Sequence, residues 1–288
     1  MRSLLRTVLL LGLLAASLGL AATARAQLKI GLETERMNYL LYAPIPLKLT
    51  LENAAGFDLV FADEDAKPWL SFYITQDDGT VVAPDRKTTR EPLSLAAGKR
   101  ATLSLDLTPL YAMRSTGRYR IQAVVDVAGR EYLSAPAYVM LQPGQTVWRE
   151  KRPVDGSDRT YSLITFSPTL KNTDLYLRVE DESQNLVYTN VLLGEIVDLE
   201  VPATRFDPQG RLHVLSLAGN SLYRYSRASA DGTIEAQMNY YSLRESLPHL
   251  ETSNDGAVFV AGGRAENPTI QRPRLSDAQG KVAQPAPQ

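Results

Sequence analysis

Apolar residues recur at every second position along most of this chain, and none of its 288 residues is cysteine. A period of two is the mark of half-buried β-strands, because successive side chains leave a strand on opposite faces. Leu47, Leu49 and Leu51 alternate with Lys48, Thr50 and Glu52, and Leu70, Phe72 and Ile74 with Ser71, Tyr73 and Thr75. Leu103, Leu105 and Leu107 alternate with Thr102, Ser104 and Asp106, and Tyr119 to Val127 carries the longest such face. Turn formers separate the runs at Asn53 to Gly56, Asp77-Asp78-Gly79, Ala97-Gly98 and Gly129. Pro44 and Pro46 place the start of one strand at a sheet edge or outside the ladder. Without cysteine there is no disulfide, thiolate zinc site, lipid attachment or cysteine nucleophile, so packing alone must hold the fold. A hydrophobic content of 44% against 22% charged residues is sufficient for that.

The first residues have the form of a secretory leader. Arg2 and Arg6 precede an apolar run from Val8 to Ala22, and Ala24-Arg25-Ala26 offers a small-x-small cleavage site that makes Gln27 the mature N-terminus. The expected location is therefore the periplasm or the medium, with no membrane span after cleavage. Loss of Arg2, Arg6 and Arg25 leaves 28 basic residues against 32 acidic ones. Such a balance gives no electrostatic reason to bind nucleic acid. The polar break Gln142-Pro143-Gly144-Gln145 divides the remainder. The expected organisation is a leader at 1–26, a sandwich at 27–142, a β-rich repeat domain at 143–264 and a Pro/Gln-containing disordered tail at 265–288.

The first domain has its Pro-led Leu47-Leu49-Leu51-Asn53 strand, the Asp78-Gly79 hairpin, Gly117-Arg118-Tyr119-Arg120-Ile121 and Ser134-Ala135-Pro136 before a last strand. This layout resembles bacterial immunoglobulin-like modules of the macroglobulin and BsuPI proteinase-inhibitor type. The resemblance implies a sandwich of two antiparallel sheets and says more of fold than of function.

The second domain repeats itself. Pro202, Gly210 and Leu212-His213-Val214 match Pro248, Gly256 and Val258-Phe259-Val260 at an offset of 46, and Leu175-Tyr176 matches Leu222-Tyr223 at 47. A period of this size, with Asp207 to Gly210, Asp231-Gly232 and Asn254 to Gly256 as hairpin turns, resembles β-propeller blades. Only about two and a half units fit, whereas a propeller closes with about four or more blades. The domain is then either a propeller fragment completed by another subunit or a compact stack of β-meanders, and the stack is the reading carried forward. The expected fold class is all-β: an immunoglobulin-like sandwich followed by a partial-propeller-like meander domain.

Catalytic signatures are absent. There is no Gly-x-Ser-x-Gly elbow, His-Glu-x-x-His pair, Ser-x-x-Lys or phosphate loop. Of the two histidines, His213 corresponds to Phe259 in the next repeat, which marks a packing position, and His249 follows Pro248 in a loop. The acidic runs Asp63-Glu64-Asp65, Asp77-Asp78 and Glu180-Asp181-Glu182 lack the spacing of a calcium loop and read as solvated turns. Tyr223 and Tyr225, with Tyr240 and Tyr241 on the next strand, are candidates to stack on a ligand, against the plainer reading of cross-strand packing. Arg86, Lys87 and Arg90 form a basic loop suited to a trypsin-like pocket.

These features lead to the expectation of a non-catalytic envelope protein that binds or scaffolds a protein or carbohydrate partner. It carries no cofactor and no metal, and oligomerisation is one route to completing the repeat domain. A proteinase-inhibitor-like module presenting the basic loop, and a hydrolase of envelope polymers with loop carboxylates, are the alternatives.

Overall fold

A computed structural model describes residues 28–64, 67–86, 89–169, 171–197 and 200–266. The leader with its Ala26 and Gln27 cleavage point, Lys87, and the segment from residue 267 lie outside the described residues. All regular structure among the described residues is β, arranged in two units that meet in sequence at Gln142 and Pro143.

The first unit contains β1 (Leu28–Thr34), β2 (Asn38–Leu40), β3 (Pro46–Asn53), β4 (Leu59–Phe61), β5 (Leu70–Gln76), β6 (Leu93–Leu95), β7 (Arg100–Asp106), β8 (Gly117–Val127), β9 (Arg130–Leu133) and β10 (Ala137–Gln142). One sheet has the order β1-β3-β7 and the other β2-β10-β8-β5, with β9 added to β8 and β4 paired with β6. All pairs are antiparallel except β2 with β10. The alternation has the physical effect the sequence predicts. Leu47, Leu49 and Leu51 are buried against Leu70, Ile74, Tyr119, Ile121 and Val125, while Lys48 faces water. Pro46 is the first residue of β3, and β3 is the central strand of its sheet rather than an edge. The start of that strand is secured by the Ile45 N–H, which donates to Asp106 Oδ1 at 2.9 Å and to Thr108 Oγ1 at 3.1 Å.

Two polar side chains hold this apolar interior together. Tyr119 is 1% exposed, and its hydroxyl donates to the Ser115 carbonyl at 2.7 Å, the corner bond that ties an incoming loop to the strand it enters. Asn53, 0% exposed, donates from Nδ2 to the carbonyls of Phe57 and Leu95 at 2.9 and 2.8 Å, and its Oδ1 accepts from the Ala55 N–H at 2.8 Å. The turn after β3 is thus built on one side chain.

The second unit contains β11 (Gln145–Val154), β12 (Ser157–Phe166), β13 (Thr173–Asp181), β14 (Leu186–Ile196), β15 (Ala203–Phe206), β16 (Leu212–Gly219), β17 (Leu222–Ala228), β18 (Ile234–Tyr241), β19 (His249–Thr252), β20 (Val258–Ala261) and β21 (Arg264–Ala265). β11 to β14 form one antiparallel meander and β15 to β18 a second, to which β21 adds beside β18; β19 and β20 pair only with each other. The two sheets share a core of Tyr161, Leu163, Leu175, Leu177 and Val179 with Leu212, Val214 and Ala228. The tip of the β17–β18 hairpin is pinned to the first sheet, since the Ala230 carbonyl accepts from the Tyr161 hydroxyl at 2.6 Å and from Arg159 Nη1 at 2.9 Å. Gly232 at that tip has φ +88°, and a Cβ there would lie 2.1 Å from a Thr189 methyl, so glycine is needed for conformation and space alike.

The 46-residue offset coincides with a structural equivalence. β15 and β19 begin and end at that offset, and the turns that follow share one bonding scheme. The Gly210 N–H donates to the Asp207 carbonyl and the Asp207 N–H to the Arg211 carbonyl; Gly256, Ser253 and Ala257 repeat this, as do Gly232, Ser229 and Thr233. This is the type I turn with a glycine bulge that matches the twist of a hairpin. The ordered chain extends beyond the compositional change at residue 265. Ala265 pairs with Tyr240, and the Glu266 N–H donates to the Asn239 carbonyl at 2.8 Å, because the open edge of β18 accepts one more short strand.

Each unit contains one tryptophan, Trp69 or Trp148, so fluorescence follows them separately. In a Trp148→Phe background, Asn53→Ala is expected to lower first-unit stability by about 2–3 kcal/mol, the cost of leaving buried backbone groups unpaired. Urea unfolding followed by Trp69 emission measures it, and an unchanged midpoint contradicts the role given to Asn53.

Candidate functional site

The densest polar constellation among the described residues lies at the β15–β16 turn. Asp207 opens the turn, Arg211 closes it, and His213 and Tyr225 occupy β16 and β17. The Asp207 carboxylate is buried and fully bonded: Oδ1 accepts from the N–H groups of Gln209 (3.0 Å) and Arg211 (2.9 Å), and Oδ2 from Arg211 Nε (2.6 Å) and His213 Nε2 (3.0 Å). Burial alone would raise its pKa. The hydrogen bonds from His213 and from the Arg211 backbone and side chain outweigh that and hold it at about 2. An ionised carboxylate only accepts, so His213 Nε2 carries a hydrogen, and Nδ1 lies 2.8 Å from the Tyr225 hydroxyl, from which it accepts in the neutral ring.

Carboxylate, imidazole and hydroxyl in series are the parts of a nucleophile relay. Here the hydroxyl is a phenol whose pKa is raised by burial, so Tyr225 stays neutral and serves as a donor. His213 is 1% exposed and out of reach of a substrate. The arrangement ties the turn to β16 and β17. His213 is a packing residue, but the repeat argument that pointed there does not hold for its counterpart: Phe259 is 44% exposed.

Of the four tyrosines offered as stacking candidates, three share one face of the sheet and one lies on the other. Consecutive strand residues point to opposite sides. Tyr223 and Tyr240 are directly opposed across β17 and β18, with Tyr225 beside them opposite Met238, whereas Tyr241 pairs with Leu222 on the other face. Tyr225 is bonded to His213, and the Tyr241 hydroxyl donates to Glu266 Oε1 at 3.3 Å. What remains is the half-buried pair Tyr223 and Tyr240, with burial raising the pKa of the latter.

The basic loop also divides. Arg86 is exposed and Lys87 lies outside the described residues. Arg90 is half-buried: its N–H donates to Asp63 Oδ2 at 3.2 Å, and its Nε is buried with no hydrogen-bond partner among the described residues. Asp63 also accepts the Trp69 N–H at 2.9 Å, so its carboxylate fastens two loops. His249 is exposed, with the Leu247 carbonyl and then Glu251 raising its pKa; its Nδ1 lies 2.9 Å from the former and its Nε2 2.8 Å from the latter.

Sequence reasoning passed over one surface, the outer face of β2-β10-β8-β5. Arg118 precedes the buried residues of β8, and Arg120, Gln122 and Val124 alternate with them. Arg120 is paired with Tyr138 on one side and Thr75 on the other, and Gln122 with Tyr73. Tyr73 is 46% and Tyr138 37% exposed, and the Arg118 guanidinium lies over the Tyr138 ring at 4.6 Å from its centroid. The signal was the polar half of the same alternation that reveals the core. A shallow recess of about 170 Å³ lies farther up this unit, lined by Ala62, Glu64, Lys67, Asp126 and Gly129. It is filled electrostatically: Lys67 Nζ bonds Asp126 at 2.6 Å and Glu131 at 2.9 Å, contacts that raise its pKa.

Because Asp207 has a lower pKa folded than unfolded, its stabilising effect is present above the ordinary carboxylate range and is lost as pH falls from about 4 to about 2. The depression from 3.8 to about 2 corresponds to about 2 kcal/mol. Asp207→Asn is expected to remove this amount at neutral pH and to flatten the second unit's stability over that acid interval, measured by Trp148 emission in urea. An unaltered acid profile contradicts the assignment.

No known protein family matches the chain, and no curated protein matches it. Solved structures with partial similarity include the following two. The Pseudomonas fluorescens alkylpurine DNA glycosylase AlkC, bound to DNA containing an abasic site analog, is 19% identical, with a TM-score of 0.28 over 41% of this chain and 31% of that one. The sporulation control protein Spo0M of Bacillus subtilis is 7% identical, with a TM-score of 0.28 over 56% of this chain and 83% of that one. The chain thus spans under a third of the glycosylase's length.

Proposed function

We propose that this chain is a non-catalytic binding protein exported to the bacterial cell envelope, and that its first unit holds an acidic carbohydrate polymer. The observation that carries this reading is the outer face of β2-β10-β8-β5, where Arg120 and Gln122 lie between the exposed Tyr138 and Tyr73 and Arg118 stacks on Tyr138. Strand spacing and rise put Tyr73 and Tyr138 roughly 12 Å apart, two or three sugar rings along an extended chain. Aromatic rings give flat apolar platforms for the C–H faces of sugars. The Arg120 guanidinium between them, and that of Arg118 on the Tyr138 ring, offer forked donors that match a carboxylate. Neither Arg118 nor Arg120 joins an ion pair among the described residues, so a ligand carboxylate need not displace a protein one.

Three further features support the reading. The leader-like start favours export. The Tyr119 corner supports the immunoglobulin-like resemblance of the first unit. The Asp207–His213–Tyr225 chain, the arrangement nearest to catalytic machinery, is engaged within the fold.

Affinity electrophoresis through gels containing oligogalacturonate, or its neutral methyl ester, tests the proposal. Retardation by the acid and not by the ester is expected. Tyr138→Ala and Arg120→Ala should each weaken it at least about fivefold, the equivalent of roughly 1 kcal/mol, while Tyr223→Ala should leave it unchanged. Equal mobility in acid, ester and blank gels overturns the acidic-glycan reading.

A further inference from the structure

Gln122 lies between the two tyrosines of the outer face of β2-β10-β8-β5 and is held in one orientation. It follows Arg120 on the outer side of β8, pairs with Tyr73 of β5 and is half-buried. Its Nε2 donates to the Ser134 carbonyl at 3.0 Å. That carbonyl is itself fixed. Ser134 is 3% exposed, its N–H donates to the Ala123 carbonyl at 2.9 Å, and its Oγ accepts the Ala123 N–H at 2.9 Å. A carbonyl only accepts, so the nitrogen is the limb of the amide that meets Ser134 and the oxygen is the limb turned away from it. Oε1 has no hydrogen-bond partner among the described residues. The face thus carries a positioned acceptor beside the Arg120 donors.

A pyranose uronate holds its C5 carboxylate and C2 hydroxyl at opposite ends of the ring, roughly 6 Å apart, against about 7 Å between alternate residues of a strand. Chemistry assigns the two ends. The forked guanidinium takes the carboxylate. The neutral amide oxygen repels a carboxylate and accepts a hydroxyl. The direction of the polymer agrees with this seating. Tyr138 lies beside Arg120 and Tyr73 beside Gln122, on opposite sides of β8. Two strand spacings across and two residues along put the line joining them at about 55° to β8, near the roughly 60° between the C2–C5 and C1–C4 axes of a six-membered ring. A 1,4-linked chain with one uronate on Arg120 and Gln122 therefore carries its neighbouring sugars toward the two aromatic platforms.

We infer that Gln122 is the specificity-determining residue of this face. Its Oε1 accepts the C2 hydroxyl of the uronate whose carboxylate Arg120 binds, so the site takes uronates that are unsubstituted at that position. This assignment rests on the acidic-glycan reading and adds a requirement that charge alone does not impose. An O-acetylated uronate keeps its carboxylate but has no hydrogen to give. It leaves Oε1 without a partner and sets the acetyl group against the sheet.

Affinity electrophoresis of the full chain through gels containing polygalacturonate, or the same polymer O-acetylated on its C2 and C3 hydroxyls, is the test. The native chain is expected to bind the unacetylated polymer at least about fivefold more tightly. Gln122→Lys keeps a donor for the Ser134 carbonyl and has no acceptor; it should bind both polymers within about twofold of each other, whatever its added charge does to the absolute affinity. Gln122→Met, which alters no charge, should lose the same discrimination. The ratio of the two affinities is not moved by a purely structural role of the Gln122–Ser134 bond. A native chain that binds both polymers equally well, or variants that still discriminate fivefold, overturns the assignment and leaves the glycan reading standing. Absence of retardation by either polymer overturns both.

Discussion

A strand satisfies its backbone only where another strand lies beside it, and it buries side chains only where another layer lies over it. With no cysteine to clamp loops, this chain must meet both demands by pairing and stacking alone. The first unit does so with two sheets closed over Leu49, Ile74, Tyr119 and Ile121. The second does so in series: one meander covers a face of the next, and a hairpin is laid on that. Among the described residues the second series ends on the two-stranded β19–β20 hairpin.

Polar groups inside such layers are costly unless every bonding position is filled. Asp207 meets that condition with four donors, and Asn53 with two acceptors and one donor. Both occur where a strand gives way to a turn. There the backbone offers N–H and C=O groups that no ladder can use, and a short polar side chain takes them up. His213 then links the Asp207 turn to Tyr225 two strands along, making a local turn anchor part of the sheet. The chain of bonds thereby spans three segments of one sheet.

Much of the first unit was readable because each of its strands has one wet face. Lys48 and Glu52 beside Leu47, Leu49 and Leu51 give both the strand and its orientation. The first sheet of the second unit was far less readable. From Thr160 to Phe166 every residue is buried, so polar and apolar residues no longer sort by face and the period of two disappears. The hairpin turns were legible through their glycines, and the repeat through its turns. The tyrosine cluster was only half legible, because sequence places Tyr240 and Tyr241 together while the strand separates them. The Asp207 network was missed because the acid reads as an ordinary turn former; its spacing to Arg211 and His213 around a glycine was the available clue. The arginine and tyrosine face of the first unit was overlooked because the search for a core discards the polar half of each strand.

The contact of Gly256 with the Pro208 ring joins one turn to the equivalent turn of the preceding repeat. A contact between like elements can be made again and again without altering either partner. Duplicating a segment of some 46 residues would lengthen the pile by a tier and leave the lower tiers undisturbed. Number of tiers is thus a quantity that gene duplication can change freely in this architecture, whereas the closed first unit admits no such growth.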